Sequence, residues 1–374
     1  MFGSASSRSS NYRPELDGLR FFAFLAVFAH HALPREASVW MRAGFSEGAA
    51  RAVRSAIFAG GFGVDLFFCL SSFLITRLLL QEVEARGAVD VRRFWTRRAL
   101  RIWPLYITFV VFAALPLMPA RLTSSETLSF LFMAGNWHVA LFGYPHSVAA
   151  PLWSISIEEQ FYVLWPLILR RATRRRIRII SLVLLGVAAA TRFLLAWRGA
   201  EHPAMWTNTF ARLDPIALGS LAATIPAFSA NGARAATRWA IGLGVMGAMV
   251  ALASLFPVRV ISFWHVPSYL LVALCCLCLL WACLESPRYK PRLLTTRATV
   301  YLGKISYGLY VFHVLGLKVG GSLVVRLRLP LVEVCAPVAS LLITVLLAGL
   351  SYRFLETPFL RLKERFAVVQ SRPI

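Results

Sequence analysis

Apolar residues along the chain gather into runs separated by short basic connections. Ten of these runs, at 19–34, 60–80, 101–119, 152–170, 178–197, 206–227, 238–256, 265–284, 300–320 and 331–355, predict helices long enough to cross about 30 Å of hydrocarbon. A further apolar stretch, 127–143, is shorter and carries Asn136, Trp137 and His138. The expected fold is all-α and polytopic, with about ten transmembrane helices in a lipid bilayer.

Charge orders these runs. The connection after the second run holds Arg86, Arg92, Arg93, Arg97 and Arg98, and the one after Leu169 holds Arg170, Arg171, Arg174, Arg175, Arg176 and Arg178. Cytoplasmic loops of membrane proteins carry the excess of arginine and lysine, so an even number of crossings separates the two connections. Runs 101–119 and 152–170 supply two crossings, which leaves 127–143 to dip into the outer face or lie on it. Arg234 and Arg238, then Arg288, Lys290, Arg292 and Arg297, then Arg361, Lys363 and Arg365 recur on every second side. Ten spans with both termini cytoplasmic follow. The first outer connection, with Arg35, Arg42, Arg51 and Arg54, fits this scheme poorly.

Composition agrees with a membrane protein. Hydrophobic residues make up 58% of 374 and charged ones 15%, and the mean hydropathy is +0.65, more apolar surface than a soluble core absorbs. The net charge of +23 is dispersed between the apolar runs instead of forming one patch, which argues against nucleic acid as a partner. The first run has no small-residue cleavage site after it and reads as a retained helix, not a removed signal peptide. Six cysteines, all inside apolar runs, give no metal spacing and no disulfide framework, and no metal is expected.

Polar residues inside the runs mark the candidate chemistry. Arg20 and His31 bound an otherwise apolar stretch, share a helix face and lie about 16 Å apart along the axis. Asp65 is twelve residues from Arg77 and Glu158 twelve from Arg170, so His31, Asp65 and Glu158 fall at one expected depth. Asp214 and His313 fall in the same broad layer. Polar side chains in a bilayer pair with each other or face a watery cavity. A histidine beside a carboxylate suits general base chemistry with the carboxylate as orienter; interhelical glue is the plainer reading of any one of them. At the cytoplasmic edge Arg98 and Arg101, three apart on one helix face, suit phosphate binding, whereas Arg97 reads as a membrane anchor.

Together these residues resemble the acyltransferase-3 family of membrane O-acyltransferases. The likeness runs through ELDGLR and His31, GGFGVDLFFCLSSFLI, FWTRRALRIWPLY, LWSISIEEQFYVLWP, RLDPIALG, YLGKISYGLYVFH and SYRFLETP, in that order. The family's arginine-ten-residues-histidine pattern falls on Arg20 and His31, its double arginine on Arg98 and Arg101, its glutamate before QFY on Glu158 and its span-two aspartate on Asp65. One departure is Ser71-Ser72 where the family has Ser-Gly, which questions a helix contact and not the chemistry. The resemblance divides the chain into a cytoplasmic tail at 1–16, a transmembrane acyltransferase domain at 17–358 and a basic cytoplasmic tail at 359–374, with no extra extracytoplasmic domain expected.

The resemblance implies an O-acyltransferase of the bacterial cytoplasmic membrane. Its donor would be cytoplasmic acyl-CoA, most often acetyl-CoA, and its acceptor a hydroxyl of a carbohydrate or other glycosylated or hydroxylated molecule. Arg20, Arg98 and Arg101 would hold the donor's phosphates. His31 would act as general base with Glu158 or Asp65 orienting it, or as a transient acyl carrier. A proton-coupled transporter using the buried His, Asp and Glu groups is the alternative.

Overall fold

A computed structural model describes residues 12–118, 120–225, 232–254, 262–284, 292–329 and 331–366. Residues 1–11 and 367–374 of the expected tails, Arg288 and Lys290, and the side chain of Arg234 lie outside what is described. Every helix or strand assigned among the described residues is helical.

The first helix, α1 (Pro14–Ala32), starts on a proline, whose missing N–H is harmless in a first turn, and carries Glu15 and Asp17 near its positive end. Two helices follow in the basic connection, α2 (Ala37–Arg42) and α3 (Glu47–Ala59), the latter capped by the Ser46 hydroxyl. A tight turn at Gly60–Phe62 leads into α4 (Gly63–Arg86), which ends at Gly87 in the left-handed region at φ 77°. Asp90 caps α5 (Val91–Ala114).

Most of the stretch 127–143 lies in two short helices, α6 (Ser124–Leu131) and α7 (Gly135–Phe142), with a turn between them. Eight residues of helix span about 12 Å, so neither crosses a bilayer alone. The chain then forms α8 (Trp153–Ile168) and α9 (Arg174–Trp197).

The expected helix over 206–227 is broken. It becomes α10 (Ala204–Thr207), a tight turn at Phe210–Arg212 and α11 (Leu213–Ala222). The Asn208 side chain accepts from the amides of Phe210 and Ala211, so local polar bonding competes with helix continuation. Beyond lie α12 (Gly232–Ser254), α13 (His265–Leu284), α14 (Arg292–Thr295), α15 (Arg297–Lys304), α16 (Ser306–Arg326) and α17 (Val332–Ser351). A π-helical turn at Tyr352–Glu356 then leads to α18 (Thr357–Glu364).

Five helical stretches among the described residues are long and apolar enough to cross a membrane: Glu47–Arg86, Arg174–Trp197, His265–Leu284, Ser306–Arg326 and Val332–Glu364. Large apolar side chains such as Leu182, Val183, Leu342 and Leu346 lie exposed on α9 and α17, as lipid-facing surfaces require. The molecule is an all-α integral membrane protein.

At the centre α1 packs on α4, α15 and α16, while α4 packs on α11. The α4–α11 contact accounts for Ser72. A Cβ at Gly219 would collide with the Cys69 carbonyl and the Ser72 hydroxyl, so the room that Ser72 takes on α4 is returned by glycine on α11. Ser72 Oγ donates to Cys69 O at 3.0 Å, which satisfies it within its own helix.

Candidate functional site

Where α1 ends and α4 begins, a cavity of about 430 Å³ opens, lined by residues of α1, α8, α10, α13 and α16. His31, in the last turn of α1, is among them. Its Nδ1 lies 3.0 Å from the carbonyl oxygen of Val27, one turn back. A carbonyl only accepts, so Nδ1 carries the proton and neutral His31 keeps its lone pair on Nε2.

Two further histidines flank it, His30 and His313, each with its ring centroid 5.1 Å from that of His31. His313 on α16 is fully buried; its Nδ1 meets the Tyr310 carbonyl and its Nε2 has no hydrogen-bond partner among the described residues. The Tyr310 hydroxyl lies 2.7 Å from Ser154 Oγ and 3.0 Å from the Pro151 carbonyl on the α8 side. His31, His313, Tyr310 and Ser154 thus form a polar run from α1 through α16 to α8. Depth along the sequence put His313 in the same broad layer as His31, and only the packing of α16 on α1 makes them neighbours.

The two carboxylates expected beside His31 are arranged differently. Asp65 accepts from Arg212 at 2.7 Å, both side chains being buried. Arg212 also stacks on Trp206, 4.2 Å from the ring centre, and on Tyr269 at 5.0 Å. Alongside it, Asp214 pairs with Arg192 of α9 through both carboxylate oxygens. Asp65 is therefore a pin between α4 and the broken segment, and Val27, not a carboxylate, orients the His31 ring. The spacing argument gave height along a helix but not direction around it.

Glu158 stands with the arginines. Its Oε1 is buried without a hydrogen-bond partner among the described residues, and Ser71, Arg20 and Arg98 are close enough to act on the carboxylate. Arg98 lies 5.5 Å from the ring centres of both Phe94 and Tyr162 and makes no hydrogen bond or ion pair among the described residues. Arg20 pairs with Asp17 at 3.2 Å. Arg101 is directed elsewhere, to Glu356 at 3.4 Å and the Lys304 carbonyl at 3.3 Å, so it braces α5 against the C-terminal helices. Arg97, read as a surface anchor, is buried and pairs with Glu82 at 3.3 Å. The positive-inside rule concerns loop charge and is silent on which arginine turns inward.

An all-α membrane protein with a histidine-lined cavity at one end and an aromatic-clasped arginine toward the other is the class these features define. The model of the acyltransferase domain family matches residues 13–353, and the chain belongs to that family. Among its relatives are the O-acetyltransferase OatA of Staphylococcus aureus strain NCTC 8325, 28% identical over 374 residues, and OatA of strain COL at the same identity. Both alignments cover 94% of this chain and 57% of the relative. A protein of S. aureus strain MSSA476, provisionally named as an O-acetyltransferase, is 26% identical over 99% of this chain and 61% of its own length. The chain thus spans about three fifths of the curated relatives it matches. No solved structure matches it significantly.

Proposed function

We propose that this chain is an O-acyltransferase that moves an acyl group, acetyl in the first instance, from acyl-CoA to a hydroxyl of a carbohydrate or other hydroxylated acceptor within the membrane. The observation that carries the reading is His31: a histidine in a cavity wall, its tautomer set by Val27 so that Nε2 is the proton acceptor. Nε2 takes the acceptor's hydroxyl proton, the oxygen attacks the thioester carbonyl, and the carbon–sulfur bond breaks to release coenzyme A, whose sulfur recovers a proton. Ten spans with both termini cytoplasmic, as the loop charges suggest, would put the arginines at the inner rim and the histidine cavity toward the outer side.

Arg98 and Arg20 would receive the donor's phosphates, since a guanidinium clasped by aromatic rings with its N–H groups free suits an anionic ligand. The eleven residues from Arg20 to His31 correspond to about 16 Å of helix, a length for the flexible arm of the donor to bridge. Glu158, beside Arg20 and Arg98, would temper that positive cluster. Arg101 would act by holding α5 in place.

Replacing His31 by alanine tests this directly. The expected result is a folded protein that still binds acetyl-CoA and transfers no acetyl group; a variant with normal transfer would overturn the assignment. Rapid-quench labelling with radioactive acetyl-CoA decides the route. Label on the protein in the absence of acceptor would make His31 an acyl carrier, and its absence supports direct base catalysis.

A further inference from the structure

The four arginines of the first connection, which fit the loop-charge scheme poorly, acquire a use at the cavity. Arg35 lines the cavity wall together with His30, His31 and Phe58. Its Nε and Nη2 donate to the His30 carbonyl at 3.0 and 2.9 Å, which fixes the guanidinium and leaves Nη1 without a protein partner among the described residues. Arg54 of α3 approaches the same ring: the guanidinium carbons of Arg35 and Arg54 lie 5.9 and 5.1 Å from the Phe58 ring centre. Arg54 makes no hydrogen bond or ion pair among the described residues.

The surroundings do not cancel this charge. Among the described residues the cavity wall holds four histidines and one arginine and no aspartate or glutamate. Glu36 lies next to Arg35 and acts on it, whereas Glu47 is taken by Arg51. Across residues 35–54 four arginines face two glutamates. Burial, with Arg212 and His265 nearby, holds His202 below the usual histidine value. Asp65, the nearest buried carboxylate on α4, is bound by Arg212. Arg35 is also close enough to act electrostatically on His31 itself.

We infer that Arg35 and Arg54, both beside Phe58 of the His31 cavity wall, form an anion site that selects an acceptor carrying a carboxylate or phosphate close to its reactive hydroxyl. The inference rests on the acyltransferase reading for the identity of the occupant, and on the arginines alone for its charge. Arg35 is fixed by its two bonds to the His30 carbonyl, and the exposed Arg54 beside the same ring brings a second guanidinium within reach of a planar or tetrahedral anion.

The same chemistry is found in lipid headgroups, so the experiment has two arms. Full-length protein is placed in nanodiscs of neutral phosphatidylcholine and titrated with methyl glucuronide or methyl glucoside, which differ in a single carboxylate. Tryptophan emission is read, because Trp153 and Trp206 line the cavity. The glucuronide is expected to half-saturate at a concentration about tenfold lower, a difference that an Arg35→Gln, Arg54→Gln double variant removes without moving the glucoside curve. Equal saturation by the two sugars, or a preference that survives in the double variant, overturns the site. In the second arm the nanodiscs contain phosphatidylglycerol; loss of the sugar preference there would assign the arginines to lipid and overturn an acceptor role. Emission needs no turnover, so failure of acetyl transfer in His31→Ala protein and failure of the anion site are read separately.

Discussion

The rings of His31 and His313 stand 5.1 Å apart although the residues are separated by most of the chain. His31 keeps Nε2 as acceptor through its bond to Val27, and His313, fully buried, leaves Nε2 unbonded beside it. If His31 exchanges the proton as proposed, a neighbouring imidazole with a spare ring nitrogen would position and support it. Changing His313 to phenylalanine removes both ring nitrogens and keeps a flat ring against Phe24, whose ring lies 6.4 Å away. The expected outcome is a fall in kcat of about 10²-fold with little change in the KM for acetyl-CoA, measured by steady-state transfer. Full activity in His313→Phe protein would remove His313 from the reaction.

Arg98 and Arg101 are expected to separate when each is cut to alanine. Arg98 has aromatic rings around it and no ionic partner among the described residues, so its loss should raise the KM for acetyl-CoA about 10- to 100-fold and leave thermal stability nearly unchanged. Arg101 bonds Glu356 and a backbone carbonyl, so its loss should chiefly lower the unfolding temperature in detergent. Donor titration and a melting curve on both variants check the split, and the reverse pattern would exchange their roles.

Breaking the Asp65–Arg212 bond should be among the most damaging single changes. Both side chains are buried, and removing one partner strands the other as an unpaired charge, at about 3–5 kcal/mol. Arg212→Met is expected to unfold at markedly lower denaturant, and the pair Asp65→Asn, Arg212→Met should lose less than the two single variants summed. A simple sum would mean that the two groups do not interact.

The α4–α11 contact offers a test by repacking. Gly219→Ala drives a methyl group into Cys69 O and Ser72 Oγ and should cost about 1–3 kcal/mol. Ser72→Gly in the same protein removes one of the two obstacles and should restore part of that loss. A Gly219→Ala variant as stable as the parent would show that the helices separate without penalty.

Much of the architecture was legible along the chain, because hydrocarbon forces backbone hydrogen bonds inside each segment and so writes every membrane helix as an apolar run. The helices α4, α9, α13 and α17 lie where such runs occur. The break at 206–227 was not legible, since it depends on Asn208 turning back on its own backbone and on Arg212 being drawn to Asp65. Apolar content does not distinguish a continuous helix from one interrupted by buried polar bonds.

By itself, then, the sequence determined an all-helical membrane protein of the acyltransferase family and singled out His31, Asp65, Glu158, Arg20, Arg98 and Arg101. Tertiary structure alone decided their company: Val27 and His313 for His31, Arg212 for Asp65, Arg20 and Arg98 for Glu158, and Glu356 for Arg101. The physical reason is that spacing along a helix gives rise per residue, hence depth, whereas partnership depends on the rotation of each helix about its axis. That rotation is fixed by packing between segments far apart in the chain, and no local pattern encodes it.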